Sequence, residues 1–141
     1  MWAFLRGLFS RRAAAGAGER GERLAAAWLR REKGFAIIVR NWRNPADRRE
    51  EIDLVGRDGE VLVFVEVKTR AAGALVPGYH AIDERKRRVL RRAIQAYLVR
   101  LREPPRTYRF DVVEVATVAD DTVAPEILHF ENVPLFPGRR R

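Results

Sequence analysis

The chain has 141 residues, enough for one domain and too few for two that each bury a core of their own. With 47% hydrophobic and 33% charged residues it can build a core, and its lack of cysteine excludes disulfide scaffolds, thiolate zinc sites and cysteine nucleophiles together. Twenty-eight basic residues against 19 acidic ones, a net +9, favour polyanionic partners such as DNA, RNA or an anionic membrane surface.

Residues 1–17 begin with the apolar patch Trp2-Ala3-Phe4-Leu5, broken by Arg6, and continue through Arg11-Arg12 into an Ala/Gly stretch. The order of charge and apolar residues is wrong for a secretory signal, so the segment reads as a flexible leader or a short amphipathic helix, with a membrane-surface anchor as the weaker alternative. Residues 18–33, rich in Ala, Leu, Arg and Glu and stopped by Gly34, predict a helix. Its spacing puts Glu22 on one face with Ala25, Ala26 and Leu29. Phe35 to Val39 is a β-branched run leading into a polar turn from Asn41 to Pro45. Glu51 to Arg57 and Glu60 to Thr69 read as two further strands joined through Asp58-Gly59, a two-residue hairpin signal. A second helix spans Asp83 to Leu101, with Leu90, Ile94, Tyr97, Leu98 and Leu101 as its buried stripe. Pro104-Pro105 ends it. Thr107 to Thr117 alternates as a fourth strand, and Ile127 to Phe130 makes a short edge strand. The prediction is a single α/β domain over 18–131 in the order α-β-β-β-α-β, a mixed sheet flanked by helices, with 132–141 as a basic tail. Apolar runs such as Val61 to Val65 are far too short to span a membrane, and a cytoplasmic location is expected.

The hairpin gathers the chemistry. With Asp58 and Gly59 at the turn centre, Asp53 lies opposite Phe64 and Glu51 opposite Glu66, so Glu51, Asp53, Glu66 and Lys68 share one face. Val61, Val63, Val65 and Val67 take the other, buried face. Asp53 and Glu66 become diagonal neighbours, roughly 7 Å apart at Cβ, close enough to hold one divalent cation between them. Carboxylates crowded on a sheet repel unless a cation answers them. Mg²⁺ or Mn²⁺, which prefer oxygen donors, would do so. Of the 28 basic residues all but Lys33, Lys68 and Lys86 are arginine, which marks those three as positions where a compact ammonium is wanted. A solvated face of alternating charge is the competing reading for any one of these residues.

Asp53 followed by Glu66-Val67-Lys68 at the end of an apolar strand resembles the PD-(D/E)xK motif of restriction-endonuclease-like nucleases. Gly21-Glu22, Glu51-Ile52-Asp53-Leu54-Val55, Phe64-Val65-Glu66-Val67-Lys68-Thr69-Arg70 and Arg109-Phe110-Asp111-Val112-Val113 together resemble the YraN family of small bacterial proteins, similar in fold to archaeal Holliday-junction resolvases. The resemblance runs from about Gly18 to Val115. It implies Asp53 and Glu66 as metal ligands with the Val67 carbonyl as a third, Lys68 as the catalytic lysine, and Glu22 as an additional acidic residue, with Glu19 as the alternative. It implies Mg²⁺- or Mn²⁺-dependent endonuclease action on DNA, branched DNA in particular, and a homodimer, because resolving a junction takes two cuts. Glu50 stands where the family usually has glycine. Asp111 reads as structural.

Arg85, Lys86, Arg87, Arg88, Arg91 and Arg92 crowd the first half of the second helix, where cations oppose the helix dipole and so do not serve the helix itself. With Arg70 they are the candidate nucleic-acid contacts, for DNA or RNA. A solvated arginine face carries nearly equal weight. Lys86 would point to the site or lay its stem over apolar surface. Tyr79 and His80 read as loop residues. The competing function is a nucleic-acid-binding module that keeps the nuclease fold without catalysis.

Overall fold

The structure, a computed structural model, describes residues 2–71, 82–117, 120 and 122–136, with side chains from Gly16 onward except at 17. Helix α1 spans Trp2–Lys33, strand β1 Ala36–Asn44, β2 Asp47–Asp58, β3 Val61–Ala71, helix α2 Glu84–Leu98, β4 Tyr108–Thr117 and β5 Glu126–Phe130. The sheet order is β1-β2-β3-β4-β5. All neighbours are antiparallel except β3 and β4, which run parallel with α2 as the crossover.

Each face of the sheet carries one helix. Ala25, Ala26 and Leu29 of α1 pack on Leu54, Val63, Val65, Val113 and Val115. Leu90, Ala93, Ile94 and Tyr97 of α2 pack on Val55, Leu62, Phe64, Phe110 and Val112. Burial of a side chain such as Leu29 or Ile94 contributes about 1.5–3 kcal/mol, so apolar stripes rather than helix propensity fix the two helices in place. Gly34, at φ +71°, ends α1, since only a residue without Cβ adopts that turn freely. At Gly21 the helix comes so close to β3 that an added Cβ would lie 2.0 Å from Thr69 Oγ1. That contact sets how near α1 sits to the strand carrying Glu66 and Lys68.

Three boundaries differ from the sequence expectation. Helix α1 begins at Trp2 rather than at residue 18, because no proline interrupts residues 2–33 and the alanines favour the helix despite the glycines. The hairpin register is shifted by two: Val55, not Asp53, faces Phe64, and Asp58 pairs with Val61, leaving Gly59 and Glu60 at the turn. Asp58 stays in the ladder because Arg109 Nη2 donates to its Oδ2 at 2.9 Å. A two-residue shift leaves the faces of β3 unchanged, so Val61, Val63, Val65 and Val67 share one face as expected. The third difference is at the C-terminal end, where residues beyond 131 join the core. Val133 and Leu135 are buried under α2, and the Val133 N–H donates to the Phe110 carbonyl at 2.7 Å. Pro137 to Arg141, Tyr79 and His80 lie outside the described residues. No helix among the described residues is long and apolar enough to cross a membrane.

Candidate active site

The β2–β3 ladder runs from Asp58↔Val61 to Leu54↔Val65. At the next step Asp53 takes over with its side chain: Oδ2 accepts the Val67 N–H at 2.8 Å. That bond brings the Asp53 carboxylate to the backbone of β3 one residue beyond Glu66. Both acids are buried, Asp53 at 6% exposure and Glu66 at 3%. Burial is the main force raising the Asp53 pKa, to about 8, and the Glu66 charge adds to it. The Val67 N–H and the more distant Lys86 oppose the rise without cancelling it.

Glu66 is only half answered. Its Oε1 lies 3.5 Å from Lys68 Nζ and 3.4 Å from Lys86 Nζ. Its Oε2 is buried and has no hydrogen-bond partner. An unpartnered buried carboxylate oxygen costs stability, and native interiors seldom tolerate one without a reason. Glu22, on α1, is half-buried. Burial raises its pKa, Glu51, Glu66 and Glu19 push it further, and a hydrogen bond with the Asn41 side chain acts in the opposite direction. The Glu22 charge acts on Asp53, whereas Glu19 is exposed. Glu51 turns to Arg43 at 3.0 Å.

Asn41 is the participant that sequence reasoning passed over. It sits in β1 at φ +53°, a conformation that asparagine tolerates better than most residues, and this local kink accompanies its reach to Glu22. Its only signal in the sequence was its membership of a polar turn.

The donor set suits a hard divalent cation. Asp53 and Glu66 supply carboxylate oxygens, one of them unpartnered, and the Val67 carbonyl would add a third oxygen. Among the described residues no three acidic or imidazole side chains lie close enough to ligate one ion alone.

Beyond Lys86 the N-terminal half of α2 borders a cleft of about 670 Å³, facing the end of the β1–β2 hairpin. Arg85, Arg88 and Arg92 line it, together with Asp47, Arg49 and Asp83. Asp83 caps α2, accepting the Lys86 N–H at 2.8 Å. Arg87 points elsewhere and donates to the carbonyls of Ile82 and Pro134. Arg91 donates to the Leu135 carbonyl and to Glu84. These two arginines clamp the C-terminal segment onto α2. Arg70 pairs with Glu114 at 2.8 Å on the neighbouring strand.

The residues that build this site fall within the segment 21–115 that matches the family described as "Uncharacterised protein family UPF0102". The chain belongs to that family. Its UPF0102 relatives include a protein of Koribacter versatilis, 40% identical over 86% of this chain and 80% of the relative. A Symbiobacterium thermophilum relative is 48% identical over 70% and 80%, and one of Geobacter sulfurreducens 45% identical over 82% and 85%. The UPF0102 segment takes in the C-terminal part of α1, all of β1, β2, β3 and α2 and most of β4, and it includes Glu22, Asn41, Asp53, Glu66, Lys68, Lys86 and Asp111.

Proposed function

We propose that this chain is a metal-dependent endonuclease that hydrolyses phosphodiester bonds in nucleic acid lying along the α2 cleft. Branched, Holliday-junction-like DNA is the favoured substrate. The observation that carries the reading is the pair of buried carboxylates, Asp53 and Glu66, on adjacent strands, with Glu66 Oε2 unpartnered and Lys68 at 3.5 Å. A fold evolved for stability alone would pair or delete such a group. The likeness of Glu66-Val67-Lys68 to the restriction-endonuclease-like motif points the same way, and two cuts across a junction call for a homodimer acting in the cytoplasm.

Asp53, Glu66 and the Val67 carbonyl would hold Mg²⁺ or Mn²⁺. When bound, such an ion supplies Lewis-acid stabilisation of phosphate charge and activates water. Lys68 contributes a compact positive charge beside the scissile phosphate. Glu22, its proton affinity raised and its carboxyl held by Asn41, is suited to accept the proton released by the attacking water. Arg85, Lys86 and Arg88 contact the phosphate backbone, a sequence-independent attraction that weakens steeply with salt.

The test is incubation of labelled four-way junction, flap, single-stranded and linear duplex DNA with Mn²⁺, Mg²⁺ or EDTA. Lys68→Ala and Asp53→Asn run in parallel. Cleavage that needs the ion and disappears in both variants is the expected result. Binding without cleavage on every substrate, unchanged by either substitution, would make the protein a non-catalytic nucleic-acid-binding module.

A further inference from the structure

The proposed metal site and the basic cleft meet in one side chain. Lys86 lines the cleft with Arg85, Arg88 and Arg92, and its Nζ lies 3.4 Å from Glu66 Oε1. Lys68 Nζ lies 3.5 Å from the same oxygen, so two ammonium groups from different elements share one acceptor atom while Oε2 has none. Two cations drawn to a single oxygen also repel each other. Lys68 follows Glu66 by two residues on β3 and projects from the same face, so its stem starts beside the carboxylate wherever its end group points. Lys86 reaches Glu66 from another element and also borders the cleft. Its backbone is pinned by the Asp83 cap, but its flexible four-carbon stem is about one-third exposed and can re-aim without moving α2.

We propose that Lys86 is an exchangeable counter-ion, neutralising Glu66 while no divalent cation is bound and turning to the phosphate backbone in the cleft once Asp53 and Glu66 hold one. The inference rests on the metal site argued above and adds its regulation: ion occupancy and nucleic-acid binding reinforce each other through one residue. Linkage makes the effect reciprocal, so nucleic acid that captures Lys86 also strengthens ion binding. Two of the chain's three lysines thus meet at Glu66, one resident and one on loan from the cleft.

Calorimetric titration of the full chain, free of nucleic acid, with Mn²⁺ tests this directly. Lys86→Met keeps the stem and the Asp83 cap but removes the competing charge, so it binds Mn²⁺ roughly tenfold tighter than the unaltered chain. Arg85→Met, which removes a neighbouring cation that does not touch Glu66, changes Mn²⁺ affinity less than about twofold. Binding of a short linear duplex gives the second readout. In Ca²⁺, Lys86→Met binds more weakly, with a salt dependence shallower by about one ion; in EDTA the two chains bind alike. A simple loss of fold would not tighten one ligand while weakening another. Equal or weaker Mn²⁺ binding by Lys86→Met overturns the proposal, as does a duplex defect of the same size with and without the ion. If the unaltered chain binds no Mn²⁺, the metal site itself is wrong and the inference falls with it. If that chain binds Mn²⁺ and Lys86→Met binds it no better, only the inference falls.

Discussion

Asp111 on β4 is fully buried, and every direction from its carboxylate meets a donor: Arg109 Nε at 2.9 Å, His129 Nε2 at 2.8 Å and the Asn132 N–H at 2.8 Å. Facing an ionised carboxylate, that histidine nitrogen carries the proton. Asp53 and Glu66, nearly as deep on the same sheet, have one backbone N–H, two ammonium groups at ion-pair distance and an oxygen left bare. The pKa values move oppositely. Burial by itself would raise Asp111, but His129, Arg109 and the Asn132 N–H outweigh it and hold the group below the usual aspartate range. At Asp53 burial prevails and the value climbs to about 8. The contrast separates a carboxylate whose charge is fully answered from a buried pair whose charge is answered only in part.

Breaking the satisfied acid should have the largest effect. Asp111→Ala strands Arg109 and His129 in the interior and should cost about 3–5 kcal/mol, lowering the melting temperature by roughly 10–15 °C in a thermal scan. Asp111→Asn sharpens the point through pH. The depressed pKa gives stability that is present above the unfolded value near 3.8 and lost as pH falls through the lower folded value. The gap between the two chains should therefore narrow as urea melts are taken from pH 6 down to pH 3.

Next in size is the docking of α1. Gly21→Ala drives a methyl group into Thr69 Oγ1 and should cost about 2 kcal/mol in spite of alanine's better helix propensity. Thr69→Ala in the same chain should recover part of the loss, measured by chemical denaturation.

Neutralising Asp53, whose charge burial disfavours, should reverse the sign. Asp53→Asn should stabilise the ion-free protein at neutral pH by about 1–2 kcal/mol. Between pH 3.8 and about 8 the unfolded Asp53 is ionised while the folded one resists ionisation, so stability falls as pH rises through this window. The advantage of Asp53→Asn should grow from pH 4 to pH 8, the opposite slope to Asp111→Asn. An advantage flat with pH would contradict the assigned environment.

The smallest effects separate the α2 arginines. Arg88→Ala should weaken duplex binding and make its salt dependence shallower by about one ion. Arg87→Ala should leave that slope unchanged and cost a fraction of a kcal/mol to about 1.5 kcal/mol by freeing the Pro134 carbonyl.

Much of this was legible in the residues. Period-2 valines and the 3.6-residue stripe from Leu90 to Tyr97 fixed the layers, because burial on one face imposes those spacings. The Asp-Gly turn located the hairpin but misjudged its register by two. Arg109 holds Asp58 in the ladder, and a partner 51 residues away leaves no local signal. The same blindness hid Asn41, whose tie to Glu22 joins β1 to α1, and Val133 and Leu135, whose burial depends on the Arg87 and Arg91 clamp. Helical spacing put Lys86 at the edge of the buried stripe and left its direction open. Only the approach of α2 to β3 turns it onto Glu66.

The central claim is that the Asp53–Glu66 pair is left unsatisfied for a cation. Thermal unfolding at pH 7, with and without millimolar Mn²⁺, for the unaltered chain and Asp53→Asn, tests it most directly. A ligand that binds only the folded state raises its melting temperature. Mn²⁺ should raise the melting temperature of the unaltered chain and leave that of Asp53→Asn unmoved, although the variant starts higher. An equal rise in both chains, or none in either, would contradict it.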